Sequence, residues 1–148
     1  MDRKELEKRL APCGLDCSRC VRKSGGDISR HAAALVEALE GFGSFPARGA
    51  AMNPVFAGYP AFEAMLGFLA GADCGGCRAD NRCGIPGCAA KSCASERGVS
   101  FCGECAEFPC DRNSYPESLA GRWRAMGERI AAAGAEAWYA EQASRPRY

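Results

Sequence analysis

The chain has 148 residues and a formal net charge of +1, with 19 Lys and Arg set against 18 Asp and Glu. That balance argues against binding along a nucleic-acid backbone, which needs a basic face to displace counterions. Leu, Ile, Val and Phe (8, 3, 4 and 7 residues) make only 22 of the 148, so the apolar core is small, whereas cysteine occurs eleven times.

Residues 2–10 read as a short helix. Asp2 can cap it, Glu5 stands three residues on, Leu6 and Leu10 share a face, and Pro12 ends it. This N-terminus, MDRKELEKRLAPCG, carries charges where an export signal needs an apolar run. The longest apolar run, about 64–72, is too short to cross a bilayer. The expectation is a cytoplasmic protein with no membrane span. Its thiols would stay reduced there, so the cysteines read as metal or redox ligands rather than disulfides.

Cys13, Cys17 and Cys20 form a compact three-thiol loop. A second helix over about 28–40 repeats Ile28, Ala32, Leu35, Val36 and Leu39 at helical spacing, and Gly41 closes it. His31, the only histidine, lies near its start. Residues 41–58 are rich in Gly, Pro and Ala and read as a loop whose phenylalanines pack onto the helices. Pro60 opens a third helix to about residue 70, with Phe62, Met65, Leu66 and Leu69 on one face. Between Cys74 and Cys110 only a short helix near 89–97, stopped by Gly98, is legible. Pro116 opens a fourth long helix whose buried stripe is Leu119, Trp123, Met126 and Ile130, with Gly134 as its stop. The last helix, about 135–144, carries Trp138 and Tyr139. The fold class predicted is mainly α, in a single domain over 1–148. Helical parts at about 2–70 and 114–144 would flank an irregular, cysteine-rich lobe at about 74–110, stapled by metal through zinc-knuckle-like turns.

The metal expectation rests on a shortage. From Cys74 to Cys110 the chain offers Ile85, Val99, Phe101 and Phe108 as large apolar side chains against eight cysteines. Four such residues cannot offset the entropy of ordering that much backbone. Thiolate coordination, worth on the order of 10 kcal/mol in small metal-folded domains, can. A Cys-x2-Cys turn lets two thiolates converge on one cation, and two such turns complete a tetrahedron. Three occur: Cys17/Cys20, Cys74/Cys77 and Cys102/Cys105. In sequence order, Cys74, Cys77, Cys83 and Cys88 would form one site and Cys93, Cys102, Cys105 and Cys110 another. Cys13, Cys17 and Cys20 then need a fourth ligand. His31 is one candidate, although a surface position on its helix is the plainer reading of it. An interleaved arrangement, in which a late cysteine completes the early site, is equally open. Two or three zinc ions are the cofactor read from these patterns, with an iron–sulfur cluster as the alternative.

Catalytic groups are scarce. A cysteine nucleophile wants a histidine base, and there is only His31. Glu104, Glu107 and Asp111 stand beside the last cysteines, where turn carboxylates are ordinary. The Cys13-x3-Cys17-x2-Cys20 spacing occurs in radical S-adenosylmethionine enzymes, but the parallel-strand pattern of their barrel is missing. The function read from the residues is a zinc protein with structural metal that presents a surface to a protein partner. The alternatives are an iron–sulfur redox or sensor protein and a small metalloenzyme.

The ordered pieces CGLDCSRC, CGGCRAD, CAAKSCASERGVSFCGECAEFPCD and GAEAWYAEQ resemble the small cysteine-rich proteins of bacteria and archaea grouped as domain of unknown function 3795. The resemblance covers the chain from Cys13 to about Gln142 and takes in all eleven cysteines. It implies a zinc-binding module, with no catalytic residue to carry over.

Overall fold

The Asp2 carboxylate accepts the Glu5 N–H at 2.8 Å and starts α1, Arg3–Arg9, as the sequence predicts. The computed structural model describes residues 1–80, 85 and 87–148. Six more helices follow: α2 (Asp27–Ala38), α3 (Pro46–Gly49), α4 (Tyr59–Ala70), α5 (Ala90–Glu96), α6 (Glu117–Ala133) and α7 (Ala135–Ala143). Among the described residues there is no strand, only an isolated antiparallel bridge between Leu10 and Asp16. The architecture is mainly helical.

Contacts divide the chain into two compact units. The first joins Met1–Cys20 to Cys74–Tyr148, and the second is the inserted Val21–Asp73. The division therefore runs through the helical stretch 2–70 that the sequence suggests as one part.

In the first unit, α1, α6 and α7 share one core, with Leu6, Leu10, Trp123, Met126, Ile130 and Trp138 all buried. Trp123, Met126 and Ile130 of the stripe read on α6 face that core, recurring at three and four positions, while Leu119 stays half-buried outside it. Described residues of the stretch 74–110 share that core. Cys77, Ala90 and Phe101 belong to the same core, and Phe101 is fully buried beneath the guanidinium groups of Arg3 and Arg78, 5.5 and 5.1 Å from its ring centre. Phe108 of this stretch packs edge-on against Trp123 of α6, with 4.9 Å between ring centres. The close approach is set by two glycines: a Cβ on Gly103 would fall on the Gly127 carbonyl of α6, and one on Gly127 would fall on the Phe108 ring.

The second unit pairs α2 with α4. Residues 41–58 are more ordered than a loop. Two 3₁₀ turns, Phe42–Ser44 and Pro54–Gly58, flank α3 there. Their rings form a cluster, Phe42 to Phe45 at 5.2 Å, Phe45 to Phe56 at 5.3 Å and Phe42 to Tyr59 at 5.3 Å. The apolar faces read on α2 and α4 are only partly used. Ala32 and Leu66 are buried, while Leu35, Val36, Phe62 and Met65 are exposed. Helical spacing reports that a face is apolar, and it is silent on what covers that face.

Candidate metal centre

The Cys102–Cys105 turn is a single 3₁₀ turn, Cys102–Glu104, closed by Cys105 N–H to Cys102 O at 3.1 Å. Glu104 holds it: its carboxylate accepts the N–H groups of Ser100 (3.2 Å) and Phe101 (3.1 Å) and pairs with Arg3 at 2.6 Å. Glu107 is likewise paired, with Arg97. Both carboxylates are thus held by arginines. The Cys102 N–H binds Pro12 O at 2.8 Å and ties this turn to the three-thiol loop.

Cys93 on α5, Cys102, Cys105 and Cys110 line one small cavity of about 20 Å³, walled also by Phe108 and Asn113. This is the second foursome that sequence order suggests. The volume holds one atom-sized guest. Burial, then the thiols of Cys93, Cys110 and Cys88, push the Cys102 thiol up to about 11, with an opposing pull from the Trp123 indole. Trp123 itself is 3 % exposed, and its Nε1 has no full hydrogen-bond partner among the described residues. The polar group it faces is the Cys102 sulfur. An indole N–H beside a buried sulfur favours the thiolate form.

The other described cysteines lie outside this cavity. Cys13 is buried, takes the Leu15 N–H on its sulfur, and has Cys77, Cys88 and Cys102 as its thiol neighbours. Burial drives its thiol far above the usual range. Cys88 lies 3.2 Å from the Tyr115 hydroxyl. Cys17 is raised by burial and by Cys20, Cys74 and Asp16, against a lowering by the Cys77 N–H, which donates to its sulfur. Cys74 and Cys20 thus both act on the Cys17 thiol, and Cys77 acts on both Cys17 and Cys13. Cys83 lies outside the described residues. His31 is exposed on α2 of the second unit, in keeping with a surface helix position.

Cys13, Cys17, Cys20, Cys74, Cys88, Cys93, Cys102, Cys105 and Cys110 are not joined in disulfides. Among the described residues, no three Cys, His, Asp or Glu side chains stand at metal-coordinating separation. No helix among them is long and apolar enough to cross a membrane. The sequence reading treats Trp123 as core alone and passes over Tyr115. Nothing in their spacing signals that both present a polar atom to sulfur, because that depends on how α6 docks.

Comparison with curated proteins and with solved structures gives no match. Over residues 9–115 the chain matches the family described as "Protein of unknown function (DUF3795)", and it belongs to that family.

Proposed function

We propose that this is a zinc protein whose thiolate-bound ions, two or three per chain, hold the first unit in shape, and that it works in the cytoplasm as a module for a protein partner. One observation carries the reading: Cys93, Cys102, Cys105 and Cys110 come from a helix, a turn and the segment after it to line a single cavity. Four soft thiolates suit zinc. A cavity of about 20 Å³ suits one ion better than a cluster of several iron and sulfur atoms. Binding requires the four sulfurs to close on the ion and to shed their protons, because burial keeps the Cys102 thiol protonated at neutral pH without it. A structural role is supported by the pairing of Glu104 and Glu107 with arginines. A protein partner is supported by the apolar side chains left exposed on the second unit, Met52, Val55 and Phe68 among them.

The test is elemental analysis with an absorption spectrum, on protein purified without air or added metal. Two or three zinc per chain and no band near ~400 nm are expected for closed zinc–thiolate sites. Iron with sulfide and a band that dithionite bleaches would replace zinc with a cluster. A metal-free chain that is fully folded would overturn the proposal.

A further inference from the structure

The chain leaves the first unit after Cys20 and returns to it at Cys74. A Cys-x2-Cys turn therefore stands on each side of the insertion, Cys17-Ser-Arg-Cys20 before it and Cys74-Gly-Gly-Cys77 after it. The two turns touch. The Cys77 N–H donates to the Cys17 sulfur, and Arg22, two residues after Cys20, pairs with Asp73, next to Cys74, at 3.3 Å. Cys74 and Cys77 are 7 % and 4 % exposed, so these sulfurs are largely removed from water.

Both turns are held from outside. Asp16, 2 % exposed, accepts the Ser18 N–H at 2.9 Å, the Ser18 hydroxyl at 2.6 Å and Arg19 Nε at 2.6 Å. The Cys17 N–H binds Arg9 O at 2.7 Å, and the Cys20 N–H closes the turn on Cys17 O at 3.3 Å. On the other side, Asp80 accepts the Gly75 N–H at 2.7 Å, and its second oxygen lies 3.9 Å from Cys74 Sγ. A turn fixed before the metal arrives loses less entropy on binding, and hydrogen bonds from behind a ligand orient it.

We infer that the Cys17/Cys20 turn and the Cys74/Cys77 turn close on one metal ion, which draws their four sulfurs in from separations wider than coordination and is separate from the Cys93, Cys102, Cys105 and Cys110 centre. Two Cys-x2-Cys turns from distant segments are the ordinary make-up of a closed four-thiolate zinc site. The assignment rests on the thiolate reading above and replaces the sequence-order grouping of Cys74 and Cys77 with Cys83 and Cys88. Its consequence is topological: the ion fixes, on the first unit, the two points through which the insertion is carried.

The experiment counts zinc per full chain in Cys17→Ser, Cys74→Ser, Cys93→Ser and their pairs. Cys17→Ser and Cys74→Ser are each expected to lose one equivalent, and the pair to lose the same one. Cys17→Ser with Cys93→Ser is expected to lose two. A Cys17→Ser/Cys74→Ser chain that loses two overturns the shared site. In case a variant fails to fold, the unaltered chain loaded with cadmium-113 gives the same answer through proton–cadmium correlation. One cadmium resonance should couple to the β-protons of both Cys17 and Cys74, and a different one to those of Cys93 and Cys102. Coupling of Cys17 and Cys74 to different cadmium ions overturns this pairing alone. A chain that takes up no cadmium overturns the thiolate reading along with it.

Discussion

The two units reach order by different means. The first unit buries Phe101, Trp123, Met126, Ile130 and Trp138 in one core, with Cys13 and Cys77 inside it. The second unit has no cysteine and buries little: Ser29, Ala32, Pro46, Gly49 and Leu66 are its buried residues. It relies on ring contacts among Phe42, Phe45, Phe56 and Tyr59 and leaves Met65 and Phe68 in water. The contrast teaches that the thiols are not set apart from the core, since Cys13 and Cys77 lie within it and Cys17, Cys88, Cys102 and Cys110 pack against it. On the proposed reading, metal and core reinforce one another in the first unit, and the second unit depends on neither.

The largest effect that could break this contrast is metal removal. Coordination is worth on the order of 10 kcal/mol, more than most domains have in reserve. Chelation is expected to strip hydrogen-exchange protection from α1, α6 and α7 and to leave the α2 and α4 amides as they were. Equal loss in both units would show that the second unit needs the metal as well.

A smaller test sets two phenylalanines against each other. Phe101→Ala removes a fully buried ring and is expected to cost about 3–5 kcal/mol. Phe68→Ala, on a side chain 57 % exposed, should stay within about 0.5 kcal/mol. Denaturant melts monitored by Trp123 and Trp138 fluorescence read the first, and helical circular dichroism reads the second. A large loss from Phe68→Ala would mean that this exposed face is covered in solution.

Two glycines set the units against each other by sign rather than by size. Gly103→Ala drives a methyl group into the α6 backbone and is expected to cost about 1–3 kcal/mol by overpacking. Gly67→Ala, inside α4 with open space around it, should stabilise the second unit by about 0.5–1 kcal/mol through helix propensity. Opposite signs in the melting shifts would sharpen the contrast, and the same sign would remove it.

Much of the local structure was legible. The Asp2 cap, the α6 stripe of Trp123, Met126 and Ile130, and the meeting of Cys93, Cys102, Cys105 and Cys110 follow from residues close in sequence. The order within residues 41–58 was not, because its two 3₁₀ turns and α3 are fixed by rings meeting across the segment rather than by periodicity. Nor were the exposed faces of α2 and α4, where an apolar pattern exists without burial.

By itself the sequence determined the helical class, the family and the identity of the thiols, since caps, periods and Cys-x2-Cys turns are properties of neighbouring residues. Tertiary structure alone decided that the Cys77 N–H meets the Cys17 sulfur, that the chain divides at Cys20 and Cys74, and that Trp123 faces the Cys102 sulfur. Each of these depends on closing a long loop, and the cost of closure rises so slowly with length that spacing along the chain cannot rank one partner above another.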